Sequence, residues 1–394
     1  MKIAARMGRI SPSATMGMKL KADELKAQGK DVLSFAVGEP DFPTPDNVVA
    51  AANKALDDGD TKYTAASGTA ELKQAICEAT AREIGVRYEP ANVIVSCGAK
   101  HSLLNIFQTL VDPGDEVIII APYWVTYPDQ IRYSEGTPVV IETTGDNDFE
   151  PDLDEVRDAV TDKTVALMMN SPCNPTGAVY SPAAIEGLAA IAVEKNIALI
   201  SDEIYKQIIF DGATHVSPAS LSDEAKTQTL IVDGVAKTYA MTGWRIGWFI
   251  GDPDVVKAAG RFQGQATSNP TSIAQAASVE ALIGPQESVE EMRAEFEARR
   301  DFVMGRLAEM PGVKCARPTG AFYVFPDVSE YYGRTLGGKT LADSNDMSEY
   351  LLNEALISVV PGMAFGADDY IRLSFACSMA ELEEGLDRLA KALA

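Results

Sequence analysis

The sequence predicts an α/β protein with a large domain, built on a mostly parallel mixed sheet flanked by helices, and a smaller α+β domain. First, short Val- and Ile-rich runs alternate with segments of helical spacing, which is typical of a parallel sheet covered on both faces. Second, the pattern changes near residue 286, where a long charged amphipathic helix is predicted. Third, 394 residues can bury a large core and divide into two domains.

Six runs carry the strand pattern, and helices such as AKHSLLNIFQTL and SPAAIEGLAAIAVEK are predicted between the first five. The runs are NVIVSCG (92–98), DEVIIIAP (115–122), TVALMMNSP (164–172), IALISDEIY (197–205), TLIVDGVAK (229–237) and WRIGWFIGD (244–252). In such sheets, ligands bind just beyond the carboxyl ends of the strands. These ends are therefore where a functional site is expected.

The C-terminal part has a different character. After the charged helix QESVEEMRAEFEARRDFVMGRLAE come GAFYVFPDV, a helix from about residue 346, ALISVVPG and IRLSFACS. We predict a large domain over residues 46–285 and a smaller one over 286–394, joined by the long helix. The N-terminal arm, residues 1–45, is expected to pack onto the smaller domain and form part of it.

The charge balance argues against several classes of partner. The formal net charge is -23, from 57 acidic and 34 basic residues. Such a surface repels a phosphate backbone and an anionic membrane, so nucleic-acid and lipid partners are not expected. Small molecules are the better candidates.

Cysteine and histidine usage indicates a reducing compartment without a structural metal. The cysteines are odd in number and far apart, and only two histidines could supply imidazole ligands. These residues are Cys77, Cys97, Cys173, Cys315, Cys377, His101 and His215. The N-terminal stretch MKIAARMGRISPSATMG lacks an apolar core of signal-peptide length, and no later apolar span is long enough for a membrane helix. A cytoplasmic location is expected.

Two basic residues, Lys237 and Arg245, lie inside the otherwise apolar, small and aromatic run DGVAKTYAMTGWRIG (233–247). Charged ends are costly to bury without a partner, although basic side chains can also lie along apolar surface with their heads in water. Other predicted strand ends are equally unusual. They carry Gly98 to Lys100, Tyr123 and Trp124, Asn170 to Gly177, and Asp202 to Tyr205. An amine, an acid, a stacking ring and a Gly-rich helix start are what pyridoxal phosphate requires.

The string GRTLGGKT (333–340) matches the phosphate-loop pattern G-x-x-x-x-G-K-T. That loop needs an apolar strand before it and a helix opening at its lysine, here Lys339. Polar SEYY precedes it instead, and the next helical pattern begins several residues later. We predict a Gly-rich surface turn.

Eight segments spread over nearly the whole chain carry a family resemblance. They are VGEPDFPTP, KYTAASGTAELK, GAKHSLLN, PYWVTYPDQ, NSPCNPTGAVY, SDEIY, AKTYAMTGWRIG and IRLSFA. On these residues the chain resembles the fold-type I pyridoxal-phosphate enzymes of the class I aminotransferases, and among them the bacterial aspartate aminotransferases of subgroup Iβ. SDEIY paired with K-x-x-x-M-T-G-W-R-I-G is the most specific signal. The resemblance implies pyridoxal 5′-phosphate as cofactor and a homodimer with shared active sites.

The resemblance also implies catalytic roles. Lys237 matches the Schiff-base lysine, which doubles as the proton shuttle, and Asp202 matches the carboxylate that keeps the pyridine nitrogen protonated. Arg245 matches the arginine that binds the phosphate. Asn174 and Tyr205 match the residues that bond the phenolic oxygen of the ring.

Further residues complete the implied cofactor site. Trp124 would stack on the ring. Gly98 and Ala99 open the helix AKHSLLNIFQTL with Lys100 in its first turn, so their amides and the positive helix end can hold the phosphate. Tyr63 matches a tyrosine that reaches the phosphate of the other subunit's cofactor.

Substrate binding is implied at two ends of the site. Arg372 matches the arginine that binds the α-carboxylate, with Gly38 contributing a backbone contact and Trp124 and Asn174 nearby. Ser13, Thr15 and Lys100 match the residues of subgroup Iβ that meet a distal carboxylate. The implied reaction is transamination between aspartate and 2-oxoglutarate, giving oxaloacetate and glutamate, with prephenate as a further acceptor.

Two departures and two alternatives accompany this interpretation. Gly234 stands where some relatives have a phosphate-binding serine, which leaves the number of phosphate ligands open, and Cys173 replaces a common asparagine. Another amino-acid aminotransferase or a β-lyase would use the same lysine, and β-elimination would release pyruvate and ammonia. A non-catalytic cofactor-binding regulator would need a DNA-binding segment, and the chain has no spare N-terminal domain and carries the wrong charge.

Overall fold

Strands and helices alternate along most of the chain, which the computed structural model describes over residues 1–394. The strands are β1 (Leu33–Ser34), β2 (Val93–Ser96), β3 (Glu116–Ala121), β4 (Thr137–Glu142), β5 (Thr164–Asn170), β6 (Ala198–Asp202), β7 (Thr229–Gly234), β8 (Gly247–Ile250), β9 (Tyr323–Val324), β10 (Thr335–Leu336), β11 (Lys339–Thr340), β12 (Ile357–Ser358), β13 (Val360–Pro361) and β14 (Ile371–Ser374). The α-helices are α1 (Ala14–Ala27), α2 (Asp46–Asp57), α3 (Ala70–Ile84), α4 (Ala99–Leu110), α5 (Thr126–Tyr133), α6 (Leu153–Asp158), α7 (Pro182–Lys195), α8 (Asp223–Gln228), α9 (Pro253–Ala266), α10 (Ser272–Ile283), α11 (Glu287–Ala308), α12 (Ser344–Glu354) and α13 (Met379–Leu393).

A seven-stranded sheet forms the centre of the molecule, with strand order β2-β8-β7-β6-β5-β3-β4. Strand β8 is antiparallel to both of its neighbours, and the other pairs are parallel. Six strands therefore end at the same edge, and β8 begins there. The predicted mostly parallel α/β class is confirmed.

Both faces of the central sheet are covered, because alternate side chains of each strand point to opposite sides. On β3, Val117 and Ile119 pack in a cluster with Phe107 of α4. Ile118 of the same strand packs in another cluster with Leu188 of α7. This two-sided burial explains why the strands appear in the sequence as continuous apolar runs.

Two strands of the central sheet illustrate how the structure differs from the sequence prediction. The prediction missed β4, TPVVIE, an edge strand in which only Ile141 is buried, so its apolar run is confined to the short stretch VVI. The fifth predicted strand was too long. It ends at Gly234, where it still pairs with Gly247, and Lys237 lies in the turn that follows.

The C-terminal part packs around the long helix α11. This helix buries Met292, Phe296, Val303 and Leu307 along one stripe, as an amphipathic helix should. Beside it lies a three-stranded antiparallel sheet with order β13-β14-β9. The aromatic core here includes Phe296, Phe322 and Tyr323.

The N-terminal arm joins this part through backbone pairing. Strand β1 pairs in parallel with β12, and the Phe35 N–H continues the ladder to the Ser358 carbonyl at 2.8 Å. Arg9 instead pairs with Glu135, near the end of α5, at 2.8 Å. The arm therefore pairs with the C-terminal part, while the predicted domain boundaries at residues 46 and 286 and the assignment of the arm to the smaller domain stay predictions.

The phosphate-loop-like string forms the hairpin β10-β11. Lys339 Nζ lies 2.7 Å from an Asp346 carboxylate oxygen and 3.1 Å from one of Glu349. Its charge is therefore already neutralised, and the next helix begins only at Ser344. The predicted Gly-rich surface turn is confirmed. None of the helices combines the length and apolarity needed to span a membrane.

Candidate active site

A cavity of about 360 Å³ opens where the strands of the central sheet end. Most of the predicted site residues meet there, together with residues of the N-terminal arm and the C-terminal part. Those that line it are Ser13, Thr15, Gly38, Ala99, Lys100, Trp124, Asn174, Asp202, Tyr205, Lys237, Arg245 and Arg372. Gly98 lies next to it, beneath the Arg245 guanidinium. Tyr63 does not line it.

The amine of Lys237 projects into the cavity from the turn after β7. Its Nζ donates a hydrogen bond to the Gly38 carbonyl at 2.5 Å and lies 5.9 Å from the centre of the Tyr205 ring. Burial lowers the pKa of Lys237 to about 8, against the opposing charge of Glu39. The amine therefore loses its proton at a lower pH than an ordinary lysine, and its unprotonated form can act as a nucleophile or base.

The carboxyl group of Asp202 faces the cavity from the end of β6, with only 3% of the residue exposed. The Tyr127 hydroxyl donates to its Oδ2 at 2.7 Å, and the Ile204 N–H donates to its Oδ1 at 3.3 Å. Burial raises the pKa of Asp202 to about 7, with further contributions from Asp233 and Glu203. No basic side chain pairs with it, so the carboxyl group is well placed for a cationic ligand.

The start of α4 forms an open cradle. Gly98 is the N-cap residue at φ 90°, and no side chain caps the helix, so the first amides remain free for an anion. Arg245 donates to the Thr242 carbonyl at 2.9 Å and to the Cys97 carbonyl at 3.3 Å. A Cβ on Gly98 would lie 2.5 Å from Arg245 Nη2. Only glycine leaves room for the guanidinium beside these amides.

Arg372 is buried at the far side of the cavity on β14, with 2% of the residue exposed. Its Nη1 donates to Asn174 Oδ1 at 2.9 Å and its Nη2 to the Ala36 carbonyl at 2.5 Å. Its Nε has no hydrogen-bond partner, and burial lowers its pKa. An unpaired buried guanidinium is costly, so this geometry favours a carboxylate ligand.

Tyr205 lies between these groups. Its hydroxyl is 2.9 Å from the Tyr323 hydroxyl, and the centre of the Tyr323 ring is 4.6 Å from the Arg372 guanidinium carbon. Tyr323 also explains why residue 38 is a glycine, because a Cβ on Gly38 would lie 2.2 Å from the Tyr323 hydroxyl.

The outer rim joins the starts of two helices. Ser13 caps α1 by accepting from the Met16 N–H at 3.4 Å, and Thr15 lies in the first turn. Across the rim, Lys100 Nζ lies 4.8 Å from the centre of the Trp124 ring. Partial desolvation of Nζ against its neighbours, together with the charge of Arg245, lowers the pKa of Lys100, although the residue as a whole is exposed. Two hydroxyls and an ammonium group therefore line the same opening.

The charge of the cavity is unusual for so acidic a chain. Lys100, Lys237, Arg245 and Arg372 all line it, and none of them forms an ion pair with a carboxylate. Their contacts are to carbonyls, an amide and aromatic rings. Like-charged groups gather without partners where anionic ligands bind.

Tyr63 lies outside this cavity, on the surface, where its exposure is 92% of that of a free residue. A large aromatic side chain so fully exposed is unusual. Within a single chain, Tyr63 does not reach the cavity that the same chain forms.

Among the lining residues to which sequence reasoning gave no role are Tyr127, Asn170 and Tyr323. Tyr127 follows Trp124 by three positions, and their rings meet edge to face at 5.6 Å, so helical spacing offered a signal. Asn170 ends β5, and its Oδ1 accepts from the Asn174 N–H at 2.8 Å. Tyr323 arrives from a segment 118 positions after Tyr205, and nothing local marks it.

The two departures have structural explanations. A Cβ on Gly234 would lie 2.9 Å from the Gly247 Cα, and a Cβ on Gly247 would lie 2.2 Å from the Ala99 nitrogen. The turn that carries Lys237, here called the lysine turn, therefore packs against β8, and β8 packs against the cradle, through backbone atoms.

Cys173 is buried, with its Sγ 3.6 Å from the Pro122 carbonyl, and burial raises its pKa to about 11. This thiol is poorly suited to act as a nucleophile.

Fold and cavity together define an α/β protein whose buried amine, buried acid and helix-start cradle suit a phosphorylated, ring-containing cofactor. Residues 30–389 match the family described as aminotransferase class I and II. The chain belongs to this family.

Similar proteins include named enzymes over the full length. An aspartate aminotransferase of Geobacillus stearothermophilus is 45% identical over 392 residues, covering 99% of this chain and 98% of that protein. An aspartate/prephenate aminotransferase of Cereibacter sphaeroides is 43% identical, covering 97% and 96%. The structure of the Thermus thermophilus aspartate aminotransferase with maleate is 43% identical and covers all of both chains at a TM-score of 0.94.

Proposed function

We propose that this chain is a pyridoxal-phosphate-dependent aminotransferase that exchanges the amino group between aspartate and 2-oxoglutarate. The products are oxaloacetate and glutamate. The observation that carries the proposal is the cavity in which four cations, none paired with a carboxylate, surround the buried carboxyl group of Asp202. Aspartate, 2-oxoglutarate and a phosphorylated cofactor each bring at least two negative charges to such a site.

The residues present fit the cofactor. The uncapped start of α4, the glycine that keeps the cradle open at Gly98 and the guanidinium of Arg245 suit a phosphate group. Asp202 would hold the pyridine nitrogen, Asn174 and Tyr205 the phenolic oxygen, and Trp124 the ring face. When bound through the Lys237 amine, the cofactor supplies an electron sink for the substrate Cα.

The chain's own residues would hold and move the proton. The Gly38 carbonyl orients the Lys237 amine at 2.5 Å, and burial keeps the pKa of that amine near 8. Lys237 can therefore accept a proton near neutral pH and return it to a neighbouring carbon. Tyr127 holds the Asp202 carboxyl group in one orientation by a 2.7 Å hydrogen bond.

The substrate would be held at both ends. The planar guanidinium of Arg372 would bind the α-carboxylate, which would supply the hydrogen-bond acceptor that Nε lacks. Lys100, with Ser13 and Thr15, would bind the distal carboxylate at the rim. The maleate complex of the Thermus thermophilus relative supports a dicarboxylate substrate, and the aspartate/prephenate relatives support prephenate as a further acceptor.

We also propose a homodimer in which Tyr63 of each chain reaches the phosphate held by the other. The support is the near-complete exposure of Tyr63 and its match to the family tyrosine. A matched pair of variants tests this. Tyr63→Phe and Lys237→Ala homodimers should each be impaired, whereas mixed dimers should regain one site with both residues intact.

The test of the activity is an acceptor panel. The purified chain, loaded with pyridoxal phosphate, is assayed with aspartate or glutamate as donor against 2-oxoglutarate, oxaloacetate, prephenate and pyruvate. The proposal predicts the highest kcat/KM for the aspartate and 2-oxoglutarate pair. Release of pyruvate and ammonia without a need for an oxo acid would instead identify a β-lyase.

A further inference from the structure

The exposed Tyr63 is carried by a firmly anchored segment. Residues 61–69, here called the Tyr63 loop, form neither helix nor strand. The Val95 N–H of β2 donates to the Ser67 carbonyl at 3.0 Å. Gly68, at φ 103°, lies so close to Val95 that a Cβ would come within 2.6 Å of Val95 Cγ2. The loop is therefore pressed directly onto the central sheet.

One buried amide, Gln275 of α10, binds the loop at Thr64, next to Tyr63, and at its C-terminal end, Thr69. Its Oε1 accepts from the Thr69 N–H at 2.8 Å, and its Nε2 donates to Thr64 Oγ1 at 3.2 Å. The second hydrogen of Nε2 binds the Pro270 carbonyl at 2.8 Å. Thr64 is the residue after Tyr63, so this contact lies next to the exposed ring.

A second buried amide, Gln263 of α9, holds the middle of the loop. Its Nε2 donates to the Ala66 carbonyl at 2.5 Å and to the Val95 carbonyl at 2.8 Å. Its Oε1 accepts from Ser96 Oγ at 2.8 Å and from Asn105 Nδ2 at 2.7 Å. Ser96 ends β2 and Asn105 lies on α4, so Gln263 also ties the loop to the chain's own cradle.

Both amides are fully buried, and every N–H of the two side chains has an acceptor. Burying a polar group is unfavourable unless its hydrogen bonds are made. A leucine or methionine would fill the same volume without that requirement. The hydrogen bonds of Gln263 and Gln275 thus hold a loop whose most exposed side chain, Tyr63, faces solvent.

We propose that Gln275 and Gln263 are positioning residues that hold Tyr63 ready for the cofactor phosphate in the partner subunit. This rests on the proposed homodimer. A loop fixed before assembly loses little conformational entropy when Tyr63 meets the phosphate, whereas a mobile loop would lose affinity at that step. Gln263 differs from Gln275 because it supports the cradle of one site and the tyrosine of the other.

The test is a double-mutant cycle on cofactor affinity. Dissociation constants for pyridoxal phosphate are measured by fluorescence titration for wild type, Tyr63→Phe, Gln275→Leu and the double variant. Tyr63→Phe should weaken binding about tenfold, as expected for one hydrogen bond to a charged group. Gln275→Leu should weaken it several-fold in the wild-type background and leave it unchanged in the Tyr63→Phe background.

A structural role alone would give a different pattern. If the two effects multiply in the double variant, Gln275 does not act through Tyr63, and the inference is overturned. Hydrogen exchange of the cofactor-free protein gives an independent readout, since Gln275→Leu should speed exchange at residues 61–69 more than elsewhere. Uniform acceleration would also overturn the inference.

Two matched variants guard against misfolding. Thr64→Val removes only the Oγ1 acceptor of Gln275 and should reproduce part of the effect. Gln108→Leu removes a comparable amide, which donates to Ser134 Oγ at 2.7 Å away from the loop, and should change neither readout. Wild-type affinity in Tyr63→Phe would end the inference while leaving the proposed activity, which rests on Lys237, intact. If borohydride reduction failed to attach the cofactor to Lys237, that result would instead count against the proposed activity.

Discussion

Replacing Lys100 by methionine should have opposite effects on catalysis and on stability. In the cavity this ammonium faces the Trp124 ring at 4.8 Å and no carboxylate, and partial desolvation and the charge of Arg245 lower its pKa. A lysine whose pKa is lowered by folding destabilises the folded state at every pH below its ordinary pKa. The cofactor-free Lys100→Met protein should therefore be at least as stable as wild type.

The same substitution should impair dicarboxylate substrates selectively. Losing a charge-assisted contact costs about 2 to 3 kcal/mol, which corresponds to roughly 30- to 150-fold in kcat/KM. Aspartate and glutamate should lose this factor, whereas alanine and phenylalanine, which have no distal charge, should change little. The assay is steady-state kinetics with aspartate, alanine and phenylalanine as donors against saturating 2-oxoglutarate, read as initial rates of glutamate formation. Glutamate as donor is measured against saturating oxaloacetate, read as initial rates of aspartate formation.

Lys226→Met is the matched control. Lys226 Nζ also lies over an aromatic ring, 4.7 Å from the centre of Tyr88, but it donates to the Arg87 carbonyl outside the cavity. It should leave both substrate types unaffected. An equal loss for aspartate and alanine in Lys100→Met would refute the reasoning, because Lys100 would then serve the phosphate or the fold.

Three other residues allow direct tests. Lys237→Ala should abolish turnover yet retain weak cofactor binding through Arg245, and borohydride reduction of the wild type followed by peptide mapping should place the cofactor on Lys237; a label on another lysine would contradict the assignment. Asp202→Asn should lower the rate of Cα proton abstraction by several orders of magnitude, measured by isotope exchange in single turnovers. Because burial raises the pKa of Asp202 to about 7, the folded cofactor-free protein binds that proton more tightly than the unfolded chain, and this group's contribution to stability falls as the pH rises from about 4 to about 7. Urea unfolding should give wild type a lower free energy of unfolding at pH 8 than at pH 5 from this group, and Asp202→Asn should lack that difference. Lys206 Nζ lies 2.6 Å from a carboxylate oxygen of buried Asp233. The substitution Lys206→Met should therefore lower the free energy of unfolding by about 3 to 5 kcal/mol. Full stability in that variant would show that Asp233 is neutralised by other means.

The carboxyl ends of the strands were predictable because the strands are buried on both sides and therefore form long apolar runs. Each polar residue that interrupts such a run marks an end, as Asp202 and Asn170 do. Edge strand β4 gave no such signal, since most of its side chains are at least partly exposed.

The parts of the site that come from distant segments were harder to predict. Tyr323 meets Tyr205 only because the fold brings β9 against the turn that follows β6, and the need for glycine at residue 38 comes from its contact with Tyr323 rather than from its own sequence neighbours. Such packing depends on the whole fold. The family motif therefore identified Gly38 as a site residue, but the local sequence could not explain why a glycine is needed there.

The backbone stack of Gly234, Gly247 and Ala99 limits how this site can diversify. No side chain lies between the lysine turn and the amides of the cradle, so the spacing of these two elements depends on main-chain geometry alone. A single substitution there closes the gap instead of adjusting it. We therefore expect new acceptor preferences, whether natural or engineered, to arise at the rim formed by Ser13, Thr15 and Lys100, where side chains can change without moving the lysine turn or the cradle.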